Sequence, residues 1–153
     1  MPGRQLDDTV ARRRDAALAG HTGDENTARS FLSDDDANVR ATALGALNRL
    51  GALTEDELIR ATKDDDPIMR RRACTESTSW NGSVDEPTTA EVAAAIAALL
   101  SDSDDSVVEI AAWACGERPP ASSSTIERLC VIATRHDDAL CRESAVAALG
   151  ALG

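Results

Sequence analysis

Aromatic residues are nearly absent from this chain. They make up 2% of its 153 residues, with no tyrosine, one phenylalanine and two tryptophans. Alanine, leucine, valine and isoleucine must therefore fill any interior, and these side chains suit closely packed helices better than a β-sandwich. No long run of alternating β-branched residues is present. The length suffices for one domain with a buried core, so we expect a single all-α domain.

Positive charge is also scarce. There are 16 basic against 27 acidic residues, Lys63 is the only lysine, and the net charge is −11. Because affinity for nucleic acid depends on lysine and arginine neutralising phosphates, we expect neither a nucleic acid nor an anionic membrane as the main partner. A protein or peptide partner, including one of basic character, fits this charge better.

Motifs of catalysis and metal binding are missing as well. The chain has no glycine-rich phosphate loop and no Gly-x-Ser-x-Gly, and His21 and His136 both lie beside predicted turns. The aspartate-rich runs at 34–36, 64–66 and 102–105 lack the glycine and the closing glutamate of a calcium loop. We expect no catalytic residue, no cofactor and no metal site.

The four cysteines all fall in predicted helices and form no Cys-x-x-Cys pair. We expect free thiols that act as small apolar side chains, three of them (Cys74, Cys115 and Cys141) in apolar columns. The alternative is a zinc site that adds Cys130 and His136 to Cys115 and Cys141. Free thiols, a polar start (MPGRQLDD) and a longest apolar run of only residues 92–100 favour a cytoplasmic protein.

What the chain does contain is a pattern that occurs four times. Its apolar anchors lie 30, 39 and 33 residues apart, and each has an aspartate three residues before it and an alanine four residues after it. The anchors are Val39, Met69, Val108 and Cys141, the aspartates Asp36, Asp66, Asp105 and Asp138, and the alanines Ala43, Ala73, Ala112 and Ala145. The aspartate suits a helix N-cap, and a small residue one turn beyond the anchor lets two helices approach closely. A period of this size indicates a solenoid.

Two further columns extend the apolar face of these helices. Position +5 from the anchor holds Leu44, Cys74, Trp113 and Val146, and position +11 holds Leu50, Trp80, Pro119 and Leu152. Both tryptophans are therefore expected in the core.

A second signal places a partner helix before each anchor. The capping-box pattern Ser/Thr-x-x-Glu occurs once per repeat, at Thr22–Glu25, Thr54–Glu57, Thr88–Glu91 and Ser124–Glu127. Each match is followed by an apolar stripe. The sequence thus predicts a helix A, an aspartate-rich turn and a helix B, four times over.

The segments SDDDANVRATALGALNRLG, KDDDPIMRRRA, SDSDDSVVEIAAWACG and HDDALCRESAVAALGALG resemble HEAT-like repeats, in particular the form found in phycobilisome lyases. The resemblance implies a right-handed α-solenoid of about four helical hairpins behind an N-terminal capping helix. The expected division is a cap at 1–21 and repeats at 22–53, 54–87 (including a loop), 88–123 and 124–153.

The second repeat is irregular. Glu76 and Ser77 stand at positions +7 and +8, where the first repeat has Ala46 and Leu47. A carboxylate facing a core is costly without a partner, so either this helix stops early or Glu76 meets an arginine. The loop at 81–87 that follows is either a binding edge of the stack or a tolerated surface insertion.

In HEAT-like stacks the B helices line the concave surface. We expect positions +2, +6 and +9 to face solvent there: Ala41, Gly45, Asn48, Arg71, Thr75, Thr78, Ile110, Ala114, Glu117, Glu143, Ala147 and Gly150. The candidate binding residues on this surface are Arg70, Arg71, Arg72, Thr75, Glu76 and Glu117. The arginine triplet is able to bind a carboxylate or a phosphate through bidentate hydrogen bonds. Alternatively, these arginines pair with the aspartate-rich turns.

These expectations favour a non-catalytic scaffold that binds a peptide or protein on the concave helix-B face. The alternative is a phycobilin-lyase-like or other HEAT-repeat enzyme or accessory subunit. A DNA-lesion binder would need a basic, aromatic-bearing face, which this composition lacks. The last predicted helix keeps an apolar face, so packing against a further element or self-association through the C-terminal repeat is also expected.

Overall fold

The computed structural model describes residues 2–82 and 89–153, with side chains from residue 8 onward. The described residues form nine α-helices, two 3-10 turns and no strand. The helices are α1 (Pro2–Thr22), α2 (Glu25–Ser30), α3 (Ala37–Arg49), α4 (Glu55–Ala61), α5 (Pro67–Ser79), α6 (Ala90–Ala98), α7 (Asp105–Glu117), α8 (Ser123–Arg135) and α9 (Ala139–Leu152). Residues 83–87 of the expected loop, and Thr88, lie outside the described residues.

The helices form two layers. Helices α1, α3, α5, α7 and α9 pack side by side in that order, and we call this the B layer. Helices α2, α4, α6 and α8 pack against it. Helix α2 packs on α1 and α3, α4 on α5, α6 on both α5 and α7, and α8 on α9. Each element thus contacts only its near neighbours, as in a solenoid. The prediction of an all-α solenoid is confirmed.

The alanine and anchor columns lie in the core, as predicted. All four anchors are buried, and the alanines four residues later have no exposed surface: Ala43, Ala73, Ala112 and Ala145. A small residue at this position lets neighbouring helices approach closely. The interior is therefore filled although the chain has few aromatic side chains.

The predicted N-caps are confirmed for three B helices. Asp36, Asp66 and Asp138 cap α3, α5 and α9, and each carboxylate accepts from backbone N–H groups of the first turn. For α7 the prediction is wrong, because the cap is Asp104 and Asp105 is already the first helical residue.

This cap shows that the third repeat was aligned one residue too late. The residue equivalent to Val39 is Val107, which has no exposed surface, and not Val108. Both alignments place a valine at the anchor and an alanine four residues later, so the apolar pattern alone cannot distinguish them. Positions below are counted from Val39, Met69, Val107 and Cys141, and in α1 from Ala11.

Among the predicted capping boxes whose residues are all described, one forms. Thr54 and Glu57 satisfy each other's backbone at the start of α4. The Thr22–Glu25 and Ser124–Glu127 predictions are wrong, because α2 is capped by Asp24 and α8 by Ser122. Thr88 lies outside the described residues, and the residue that caps α6 is Thr89. In the caps of α2, α6 and α8 a side-chain oxygen accepts from a backbone N–H of the first turn. The motif therefore indicates the correct regions but not the capping residues.

Several exposure predictions are corrected. Trp113 and Val146 were expected in the core but are 37% and 59% exposed, and Pro119 is exposed too. Trp80 is buried as predicted, and its indole Nε1 donates to the Leu53 carbonyl at 2.8 Å. The new alignment moves Trp113 to position +6, which explains its exposure.

Three positions predicted to face solvent are instead buried: Ala41, Gly45 and Ala114. Ala114 moves to position +7 in the corrected alignment. Gly45 is covered by the side chain of Arg72, whose Nη2 atom lies 1.9 Å from where a Cβ would stand. Among the cysteines, which are all free, Cys74, Cys115 and Cys141 are buried and Cys130 is exposed.

Candidate functional site

One surface of the B layer is exposed on three successive helices. With the corrected alignment, positions −1, +2, +6 and +10 fall on one stripe of each helix. The stripes comprise Ile68, Arg71, Thr75 and Ser79 on α5, Ser106, Glu109, Trp113 and Glu117 on α7, and Leu140, Glu143, Ala147 and Ala151 on α9. We call these twelve residues the B-helix face. All are exposed except Ser106 and Glu109, which are half-buried.

Trp113 lies at the centre of the B-helix face. The structure describes all three aromatic side chains of the chain, and Trp113 is the exposed one, since Trp80 is buried and Phe31 half-buried. Glu109 and Glu117 stand one helical turn before and after it on α7. An indole ring between two carboxylates offers a cation an aromatic face together with opposite charge.

The charges of the B-helix face are mostly negative. It carries the carboxylates of Glu109, Glu117 and Glu143 and one guanidinium, that of Arg71. No ion pair joins Arg71 to another described residue. Of the six candidate binding residues, Arg71, Thr75 and Glu117 therefore lie on this surface. Whether any of them binds a partner stays a prediction.

Arg70 is not on the B-helix face, because it joins two repeats. Its Nε and Nη2 atoms donate to the two carboxylate oxygens of Asp102 at 2.8 and 2.9 Å, and Nη1 donates to the carbonyls of Asp64 and Asp65. The hydrogen bond raises the pKa of Arg70 and lowers the pKa of Asp102. Both side chains are largely shielded from solvent, so this guanidinium serves the fold.

The same arrangement occurs at two earlier steps of the stack. Arg12 bonds to Asp34, and Arg40 bonds in a bidentate way to Asp64. We call each such pair an arginine clip. Its arginine stands at position +1 of one B helix, and its aspartate two residues before the N-cap of the next.

The clip aspartate also shapes its own turn. The carboxylates of Asp34, Asp64 and Asp102 each accept from the backbone N–H two residues later at 2.9 Å. The spacing Asp-x-Asp therefore marks clip and cap together, and it is visible in the sequence. This signal was missed, and it would have given the third repeat its correct alignment.

The step from α7 to α9 has no clip. Val108 stands where the arginine belongs, and His136 takes the place of the aspartate, accepting from the N–H of Asp138 through Nδ1 at 3.1 Å. The His136 Nε2 atom lies 3.8 Å from a carboxylate oxygen of Asp105. This step relies instead on close packing, since a Cβ at Gly116 would lie 2.8 Å from Ala148 Cα.

Glu76 pairs with Arg72 on its own helix α5 and bonds to Asn48 on α3. Helix α5 continues to Ser79, and Glu76 is 8% exposed. Its carboxylate lies 2.6 Å from Arg72 Nε and accepts from Asn48 Nδ2 at 2.6 Å. Of the two alternatives for this irregular helix, the pairing with an arginine is therefore the one observed. Both side chains are engaged within the stack.

A packing contact that occurs at two other steps of the stack explains why Glu76 is tolerated. Position +9 of one B helix faces position +7 of the next: Gly20 faces Ala46, and Gly116 faces Ala148. At the α3–α5 step the corresponding residues are Asn48 and Glu76, joined by a hydrogen bond. A polar pair replaces a glycine–alanine contact there, and Arg72 fills the space above Gly45.

A cavity of about 800 Å³ lies between α6 and α8. Alanines of α6 form one wall, Ser122, Thr125 and Arg128 belong to the other, and Cys115 lies at its surface. Burial raises the pKa of the Cys115 thiol to about 11, so little thiolate forms there at neutral pH. The cavity has the size of a small-molecule site.

The family model described as HEAT repeats matches residues 55–150, which span α4 to nearly the end of α9 and include the whole B-helix face except Ala151. The chain belongs to the HEAT repeat family. No curated protein matches it significantly.

In this HEAT-repeat chain, no described group of histidine, cysteine and acidic side chains has a metal-binding arrangement. No helix within the described residues is long and apolar enough to cross a bilayer.

Proposed function

We propose that this HEAT-repeat chain is a non-catalytic scaffold that binds a basic peptide segment of a protein partner on the B-helix face. The observation that carries the proposal is the exposure of Trp113 between Glu109 and Glu117. In a chain with three aromatic residues, one is placed at the centre of an exposed and mostly acidic surface. Tryptophan is among the residues that contribute most to binding energy in protein interfaces.

The remaining candidate residues support this choice of surface by elimination. Arg70, Arg72 and Glu76 are engaged in contacts within the stack, which leaves Arg71, Thr75 and Glu117 for a partner. Ile68 and Leu140 are exposed apolar residues of the B-helix face, in the first turns of the neighbouring helices α5 and α9. A segment with an arginine or lysine over Trp113 and apolar residues toward the first turns of these helices complements the surface in charge and polarity.

The magnitude of the central contact can be estimated from its chemistry. A cation over an indole contributes about 0.5–1 kcal/mol when exposed and about 2 kcal/mol when desolvated. Opposite charges on Glu109 and Glu117 add to this attraction, and salt screens it. We expect Trp113→Ala to weaken binding by about tenfold or more.

The test is crosslinking and affinity capture with the intact chain, followed by peptide arrays covering each captured protein. Binding should require basic residues in the peptide, weaken with added salt, and fall in Trp113→Ala and Glu117→Lys. Ile126→Ala is a matched control, because Ile126 is 39% exposed, similar to Trp113, but lies on α8 away from the B-helix face. Equal losses in Trp113→Ala and Ile126→Ala would refute the proposed surface.

The cavity between α6 and α8 favours a second candidate, a phycobilin-lyase-like or other HEAT-repeat enzyme or accessory subunit. Its volume of about 800 Å³ suits a small apolar ligand. Incubation with a bilin and an apo-phycobiliprotein tests this candidate. Formation of a covalent adduct that depends on the chain supports it, and the absence of an adduct removes the lyase role.

A further inference from the structure

One guanidinium interrupts the negative charge of the B-helix face. Arg71 is exposed on α5 and forms no ion pair with another described residue. The arginines on either side of it are engaged, Arg70 with Asp102 and Arg72 with Glu76. Arg71 is therefore the single cation that the twelve residues of the B-helix face present to a partner.

The charged side chains at position +2 stand in a row across three helices. They are Arg71 on α5, Glu109 on α7 and Glu143 on α9. Near the start of the helices, position 0 of α9 meets position −2 of α7, since Cys141 Sγ donates to the Asp105 carbonyl at 3.1 Å. Near their end, position +9 of one helix meets position +7 of the next. Equivalent positions between these two contacts therefore lie nearly level, and the row reads positive, negative, negative.

The spacing of this row matches a segment in polyproline-II conformation. Packed helices stand about 8–10 Å apart. A polyproline-II chain rises about 3.1 Å per residue with three residues per turn, so every third side chain points the same way at intervals of about 9.3 Å. The side chains on one face of a β-strand recur at about 6.6 Å, and the next multiple, about 13 Å, is too long. A polyproline-II segment thus presents residues i, i+3 and i+6 to the three helices.

Charge complementarity defines the residues at these positions. An acidic residue at i complements Arg71, and a basic residue at i+3 complements Glu109 and lies over Trp113. A basic residue at i+6 complements Glu143. A segment that is basic at all three positions brings two like charges together at Arg71, which lowers its affinity and favours the segment of mixed charge.

We propose that Arg71 determines specificity by selecting a polyproline-II segment with an acidic residue three positions from the basic residue over Trp113. This inference rests on the proposed function and defines the partner of the same surface more closely. Without Arg71, the carboxylates of the B-helix face would attract any basic segment. The guanidinium excludes uniformly basic segments and sets the register of the one that binds.

The test is fluorescence anisotropy with the full chain and two labelled peptides. The first has the core Glu-Pro-Ala-Arg-Pro-Ala-Lys, and in the second a lysine replaces the glutamate. The wild-type chain should bind the first peptide at least about threefold more tightly, because the exchange turns an exposed ion pair into a repulsion. Arg71→Glu should reverse this preference. Arg60→Glu is the matched control, since Arg60 is exposed on α4, outside the B-helix face, and it should leave the ratio of the two affinities unchanged.

Moving the glutamate tests the spacing. Peptides with the glutamate two or four positions from the arginine should bind more weakly than the peptide with a separation of three. An α-helix repeats one face after seven residues, about 10.5 Å, so tightest binding at that separation would overturn the polyproline-II assignment.

The variant Trp113→Ala separates failure of this inference from failure of the proposed function. If Trp113→Ala weakens both peptides but the wild-type chain binds them equally, or Arg71→Glu keeps the wild-type preference, the inference is wrong and the proposed function stands. If the wild-type chain binds neither peptide, or Trp113→Ala changes neither affinity, the proposed surface fails and the inference fails with it.

Discussion

The arginine clip between Arg70 and Asp102 allows a quantitative test of what holds neighbouring repeats together. Asp102→Asn keeps an oxygen that accepts from the N–H of Asp104 but removes the charge and the second oxygen that bond to Arg70. The side chains of Arg70 and Asp102 are only 14% and 7% exposed, so solvent replaces the lost contact poorly. A hydrogen bond to a charged group contributes about 1.5–3 kcal/mol, and we expect the substitution to cost about 2 kcal/mol.

The assay is urea unfolding followed by circular dichroism, with the midpoint converted to a free energy through the slope. Asp65→Asn is the matched control, because Asp65 is exposed in the neighbouring turn and its carboxylate takes part in no described ion pair. It should change stability by less than about 0.5 kcal/mol. The double variant Arg70→Ala/Asp102→Asn should lose less than the sum of the single losses.

The pH dependence of this difference has a definite sign. The Arg70 guanidinium holds the pKa of Asp102 below its usual value, so the stabilisation is present above the pKa of the unfolded chain, about 3.9. It is lost as the pH falls through the lower folded pKa. The gap between wild type and Asp102→Asn should thus be full at pH 7 and close in acid. A loss no larger than that of Asp65→Asn, or additive losses in the double variant, would refute the structural role of the clip.

Three further outcomes follow from packing and burial. Gly116→Leu should lower the free energy of unfolding by about 1–3 kcal/mol or more, because the added side chain forces α7 away from α9. Gly150→Leu, at the same position of α9, should not destabilise the monomer. Thermal unfolding at low protein concentration compares the two variants. Asn48→Ala should cost about 1–3 kcal/mol in urea unfolding, because it removes a hydrogen bond from a buried carboxylate, and an unchanged midpoint would contradict this. A thiol reagent at pH 8 should label Cys130 alone in the native chain and all four cysteines after denaturation, and rapid labelling of more than one native thiol would contradict the described burial.

Most of the fold could be predicted from the sequence because the repeat pattern reflects packing. The alanine column and the caps at Asp36, Asp66 and Asp138 depend on local helix geometry, and local geometry is repeated in the residues. The third repeat was misaligned because Val107–Val108 and Ala111–Ala112 satisfy two alignments equally well. That single-residue error placed Trp113 in the core and so hid the residue on which the proposed function now rests.

Other features of the structure could not be predicted from patterns in the sequence. The burial of Gly45 depends on Arg72 of the next hairpin, and the pairing of Glu76 depends on Asn48, which is 28 residues away. These contacts join different repeats, and a pattern found by comparing repeats with one another does not report which unlike residues meet between them. The cavity between α6 and α8 likewise results from the spacing of helices, to which small alanines contribute no distinct signal.

The missing clip between α7 and α9 gives the stack two kinds of joint. The joints from α1 to α7 each include an ion pair, whereas the last relies on Gly116 against Ala148 and on apolar burial. Salts such as sulfate strengthen apolar burial, whereas they do not strengthen ion pairs and they screen the partly exposed ones. The amide protection of the last joint should therefore rise relative to that of the other joints when such a salt is added.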